Sequence, residues 1–351
     1  MNALRLLCLS ALLVATAACA PHRPPDLSPT TRSPYLTADG WISAVRHFPG
    51  EGPPVLLVHG MGANHYNWDY SADLSMVTYL QGRGWDVWVA ELRGDPQSVP
   101  PSEAARKAYS FDDHALNDVP AVLDVVRAQT GFDKVYWVGH SMGGMLLYTA
   151  LELYPERLYA GVAIDSPAAM EDRSGLLAVA RRFRWAVSKK QSIPAEKLAR
   201  MTAGLGRANL LYGALANRQN LDYALANGLA RSALEDVPAG IVAQVQNWLK
   251  VGDVTRVDGT PWFDRSRTDR PPVPILVTGG ARDRIVPPAN ARAACTIFPT
   301  CTFVLLGRET GWAYDYGHVD PVVGLSAKAE VFPLVADFLD RAREAHPPTR
   351  P

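Results

Sequence analysis

Apolar positions fall along the chain in two alternating rhythms. Short, nearly unbroken runs of β-branched and aromatic residues occur at 41–48, 54–58, 85–90, 134–138, 159–164, 273–277 and 302–306. Runs of this kind predict strands buried on both faces, as in a parallel sheet, because neither face needs polar residues for solvent. Between them lie stretches with helical spacing. In 116–128, Val119, Val122, Leu123 and Val126 fall on one stripe and predict a helix packed on such a sheet. Strand and helix in alternation predict a doubly wound α/β architecture with a mostly parallel sheet.

The alternation stops between residues 167 and 270, an Ala- and Leu-rich stretch that holds no convincing strand and reads as several helices. Lying between two core strands, it is expected to be a helical cap over the carboxyl edge of the sheet, with the core formed by 35–166 and 271–345. Within it, Leu176, Val179, Ala180, Phe183 and Val187 make an apolar stripe flanked by Arg181, Arg182, Arg184, Lys189 and Lys190. Such a basic amphipathic helix suits either a lipid surface or a solvated face on the core. Trp248, Trp262 and Phe263 either line an apolar pocket or pack inside the cap.

At the N-terminus, the apolar run Leu6 to Ala18 follows a lone Arg5. It falls short of the roughly 20 residues that a membrane-spanning helix needs and reads as an export signal over 1–18. It ends in Thr16-Ala17-Ala18-Cys19, which resembles a bacterial lipobox, with Thr where Leu is usual. That resemblance implies lipid attachment at Cys19 and an exported protein tethered to a bacterial membrane. The alternative is ordinary cleavage and secretion, disfavoured by Pro21 so close to the cut. Residues 19–34, rich in Pro, Ser and Thr, are expected to form a flexible tether. Cys295 and Cys301 then either pair across a short loop, as an oxidising compartment permits, or stay as buried thiols. No His or further Cys stands near them to complete a metal site.

Charge narrows the partners. Lys plus Arg and Asp plus Glu both number 35, a formal net charge of zero, which leaves no basic excess for a phosphate backbone. No nucleic-acid partner is expected.

The candidate chemistry begins at Gly139-His140-Ser141-Met142-Gly143-Gly144, set between a strand and an apolar helix. A strand-to-helix turn this sharp needs glycine on both sides and lifts the Ser141 hydroxyl clear of the sheet. A serine hydroxyl needs a base, and the base an orienting acid. Asp283 follows the strand 273–277, and His318 follows the next strand, giving the order Ser, Asp, His found in α/β-hydrolases. In this assignment His318 takes the Ser141 proton and Asp283 holds its tautomer. Asp165, after the strand 159–164, is the rival acid. His140 and His59 are expected to pack or to shape their loops, and Asp315 and Asp320 to be structural. The backbone amides of Met61 and Met142 are placed to form an oxyanion hole.

These segments resemble those of serine α/β-hydrolases, in particular the acid and gastric lipase-like branch. The resemblance rests on His59-Gly60-Met61-Gly62-Ala63-Asn64 with Trp68, on 84–94, on the turn at Ser141, and on Gly317-His318-Val319-Asp320 with the segments after it. It covers about 53–165 and 272–340 and leaves the cap unmatched. It implies an α/β-hydrolase fold, hydrolysis of carboxylic esters through an acyl-enzyme, a lipid or small-molecule ester as substrate, and no cofactor or metal. Alternatives on the same triad are an acyltransferase or a polyester depolymerase; a binding lipoprotein without catalysis is another. The chain also resembles polyhydroxyalkanoate synthases, which carry Cys where this chain has Ser141.

Overall fold

In the computed structural model of the protein, residues 30–172, 174, 192–197, 210–221 and 223–348 are described. The expected export signal, Cys19 and the stretch 176–190, expected to be a basic amphipathic helix, lie outside the described residues.

The strands are β1 (Thr31–Leu36), β2 (Ile42–Phe48), β3 (Pro54–Val58), the short ribbon β4 (Asp69–Ser71) and β5 (Leu74–Ser75), β6 (Asp86–Glu91), β7 (Val135–His140), β8 (Leu158–Ile164), β9 (Ile275–Gly280) and β10 (Cys301–Leu306). Eight of them form one sheet in the order β1-β2-β6-β3-β7-β8-β9-β10. The pairs from β6 to β10 are parallel, and β2 is antiparallel to both of its neighbours. All the residues of β3, β6, β7 and β9 are buried, which is why those runs lack polar alternation.

The helices that matter for the site are α1 (Met76–Gly82), α2 (Val119–Thr130), α3 (Met142–Leu153), α4 (Leu210–Leu215), α5 (Tyr223–Ser232), α6 (Ala239–Val251) and α7 (Phe332–Ala345). Helix α2 buries Val119, Val122, Leu123 and Val126, the stripe its spacing predicts. One face of the sheet packs on α2 and α3 through residues such as Leu56, Trp88 and Leu146, and the other on α1 and α7 through Val55, Leu80 and Phe332. The sheet is therefore covered on both sides, with α4, α5 and α6 in the segment between β8 and β9.

The tether expected over 19–34 needs correction at its end. Residues from Thr31 onward form β1, paired in antiparallel register with β2, with Pro34 opposite Ala44. Proline is tolerated because β1 is the outermost strand, where a missing donor leaves no ladder bond unmade. Strand β9 also starts later and runs further than expected, through Gly279 and Gly280. Cys295 and Cys301 form a disulfide with 4.9 Å between their Cα atoms. No helix among the described residues is long and apolar enough to cross a membrane.

Candidate active site

Strand β7 ends at His140 and α3 begins at Met142, so the whole reversal falls on Ser141, at φ 54° and ψ −117°. Its neighbours leave no room for side chains. A Cβ on Gly139 would lie 2.2 Å from the Gly143 carbonyl oxygen, and one on Gly143 would lie 2.0 Å from that of Val58. The glycine spacing seen in the sequence is thus a packing requirement of the turn. Its product is a half-buried hydroxyl held at the start of a helix, where the dipole favours developing negative charge.

The loop after β10 brings His318 to that hydroxyl. His318 Nε2 lies 3.0 Å from Ser141 Oγ, and Nδ1 lies 2.7 Å from Asp283 Oδ2. Asp283 Oδ1 accepts the backbone N–H groups of Ile285 and Val286 at 2.7 and 2.8 Å. The carboxylate is fixed at one oxygen while the other accepts the imidazole Nδ1–H. Nε2 is then the ring's free lone pair, facing the serine.

Asp165 is close but differently bonded. It is fully buried, with φ at 49°, and its Oδ1 accepts the Gly280 N–H at 2.9 Å. Atoms of Asp165, Asp283 and His318 lie within 4.8 Å of one another, yet only Asp283 hydrogen-bonds the imidazole. Burial, then the negative charges of Asp283 and Asp320, hold the Asp165 carboxyl well above the usual carboxylate range. Its surroundings therefore oppose its negative charge.

Two further histidines flank the site. Burial first, then nearby His318, pushes His140 down to about 3. It is neutral at physiological pH, and its Nε2–H donates to the His318 carbonyl at 2.9 Å while Nδ1 lies 3.0 Å from the Asn67 side-chain amide. His59, likewise buried and pushed down to about 4, donates through Nδ1–H to the Gly60 carbonyl at 2.9 Å. It shapes the loop after β3. That loop packs directly on the turn: a Cβ on Gly60 would lie 3.2 Å from the Ser141 Cβ. Met61 and Met142 therefore bracket the serine, one on the loop and one as the first residue of α3.

A cavity of about 200 Å³ opens over Ser141 and His318. Met61, Ala226, Leu229, Ala230 and Val319 are among its lining residues, and its wall is mainly apolar. Trp248, Trp262 and Phe263 do not reach it. They are buried in the core, where Phe111 meets Trp248 and Trp262 edge-on at 5.3 and 6.0 Å.

Arg93 has no partner evident in the sequence. Its guanidinium is buried against Asp118 and Asp39 at 2.7–3.0 Å, tying the loop after β6 to the approach to α2. The pairing of His140 with Asn67 is likewise not evident in the sequence. Both contacts bridge residues far apart in sequence, and neither has a spacing signal.

Comparison with known proteins bears on the fold. The alpha/beta hydrolase fold family matches residues 53–311. Human gastric triacylglycerol lipase is 24% identical over an alignment spanning 90% of this chain and 89% of that protein. Mouse lipase member N is 30% identical, but the match spans only 36% of each chain. The human lysosomal acid lipase/cholesteryl ester hydrolase is 33% identical over 34% of each. Among solved structures, a putative lipase from Acinetobacter baumannii superposes with a TM-score of 0.62 at 15% identity, covering 90% of this chain and 93% of that one. A thermophilic esterase from Thermogutta terrifontis gives 0.59 at 21% identity, covering 89% and 99%. With the family match spanning most of the sequence, the chain belongs to the alpha/beta hydrolase fold family.

Proposed function

We propose that the protein is a carboxylic ester hydrolase of the lipase and esterase kind, working through Ser141, His318 and Asp283. The observation that carries this reading is His318 itself, within hydrogen-bond distance of Ser141 through one nitrogen and of Asp283 through the other. The apolar cavity over the serine supports an apolar acyl group as substrate. The lipase relatives support the same class.

Ser141 Oγ attacks the ester carbonyl as its proton passes to His318 Nε2. Asp283 stabilises the imidazolium and keeps the ring oriented. The oxyanion is held by the backbone N–H groups of Met61 and Met142. The tetrahedral adduct collapses, the alkoxide leaves with the His318 proton, and an acyl-enzyme on Ser141 remains. A water then gives its proton to His318 and attacks the acyl carbon. Collapse returns that proton to Ser141 and releases the acid.

The test is turnover of p-nitrophenyl esters by purified protein and by Ser141→Ala. Loss of a triad nucleophile lowers kcat by about 10⁶-fold in a serine hydrolase, so the variant should fall to background. A fluorophosphonate probe should label the wild type at Ser141. Equal hydrolysis by the two proteins would end the proposal, as would a folded wild type that resists the probe.

A further inference from the structure

The loop carrying His318 is held from the segment between β8 and β9. The backbone N–H groups of His318 and Val319 both donate to the carbonyl of Leu215, the last residue of α4, at 2.9 and 3.0 Å. Two residues beyond His318, the carboxylate of Asp320 has no accessible surface. Its Oδ1 accepts the N–H groups of Asn217 and Gly317 at 3.1 and 2.9 Å, and its Oδ2 accepts Asn220 Nδ2 at 3.1 Å. Asn220 is equally buried. Its side-chain oxygen accepts the Ser326 N–H at 3.0 Å and its carbonyl the Leu325 N–H at 2.6 Å. Asn217 Nδ2 donates to the Asp315 carbonyl at 2.9 Å. There is no slack between the two loops, since a Cβ on Gly317 would lie 2.9 Å from the Ala216 Cα.

We infer that Asp320 is a positioning residue: by gripping the Asn217–Asn220 turn, it sets where His318 stands. Residues 215–220 are then part of the catalytic geometry and not a detachable cover. The inference rests on the proposed role of His318.

Three features support it. The bonds fall on both sides of His318, on its own N–H and on Gly317 and Asp320. They are buried, where leaving a donor or acceptor unmade costs about 1–3 kcal/mol. On the far side, His140 holds the carbonyl of the same His318 peptide. That peptide is pinned at both ends, one end by the turn after α4.

The chemistry of the pair allows a swap. In D320N the carboxamide oxygen still accepts from Asn217 and Gly317, but its amide meets the amide of Asn220, donor against donor. In N220D two carboxylates face each other. In N220D/D320N the donor and acceptor exchange places, and the Ser326 N–H still meets a carboxylate oxygen.

The experiment measures kcat, KM and the rate of fluorophosphonate labelling at Ser141 for wild type, both single variants and the double. Each is normalised to folded protein by its unfolding transition. For groups that couple across a shared network, each single variant should lose about 30-fold in kcat and in labelling rate, with KM within about threefold. The double variant should recover to within about fivefold of wild type. If a single variant does not fold, the double variant, with its bonds restored, still gives the answer. Single variants as active as wild type per folded molecule would overturn the inference. So would a folded double variant that stays as slow as the slower single. A wild type that neither turns over esters nor takes the probe would instead remove the proposed function beneath it.

Discussion

Ser141 and Asp165 are the two non-glycine residues with left-handed φ among the described residues, and they end neighbouring strands, β7 and β8. Backbone of this kind costs about 1–3 kcal/mol. At Ser141 that cost raises the hydroxyl. At Asp165 it buries a carboxyl beside Asp283, where two negative charges would repel. A carboxyl whose pKa is higher folded than unfolded takes up a proton on folding. It therefore lowers stability progressively as pH rises above the unfolded value, until it ionises in the folded state as well. Asp165→Asn removes the titration, keeps an oxygen for the Gly280 N–H and tolerates the backbone. The variant should melt at a higher temperature than wild type near pH 8, with the difference shrinking towards about pH 4. A pH-independent difference in melting temperature would show that Asp165 is ionised in the fold. His140 is a different case. Already neutral at physiological pH, it can donate to His318 without any change of charge in the working range.

Helix α5 shows what an element contributes. Ala226 and Ala230, one turn apart on α5, and Ala233 just beyond its end line the cavity over Ser141, so their size sets its free width. Ala230→Phe should lower kcat/KM for p-nitrophenyl octanoate by about tenfold or more, equivalent to about 1.4 kcal/mol. The acetate ester should change by less than about threefold, since a short acyl group leaves that wall untouched. An equal loss on both esters would mean that this face does not bound the acyl group. Elements were the most legible level of the sequence. The buried strands and the α2 stripe follow from periodicity, because burial on two faces or on one stripe constrains residue type at every step. Strand β1 was not legible: Pro34 argues against a strand wherever both ladders must be filled, and only its edge position makes the pairing acceptable.

For the molecule as a whole, the parallel order β7-β8-β9-β10 gathers Ser141, Asp165, Asp283 and His318 at one end of the sheet, where open α/β sheets place their ligands. The identity of the three partnered residues was readable from the strand-loop context of each. The grip of Asp320 on Asn217 and Asn220 was not, because hydrogen bonds between loops a hundred positions apart leave no periodic trace. Export and attachment at Cys19 belong to this scale too, and we carry them as proposals. Expressed in a bacterial host, the protein should fractionate with membranes and incorporate labelled palmitate. Cys19→Ser should abolish the label and release ester hydrolase activity to the soluble fraction; a labelled variant would refute the anchor. The early start of β1 then limits geometry. With Thr31 already fixed on the outermost strand, about a dozen residues link an acylated Cys19 to the folded body, a leash of at most roughly 40 Å. An enzyme on so short a leash would sample the layer next to its own bilayer and little beyond it, so esters dissolved in or adsorbed to that surface would reach it at far higher local concentration than esters free in the medium.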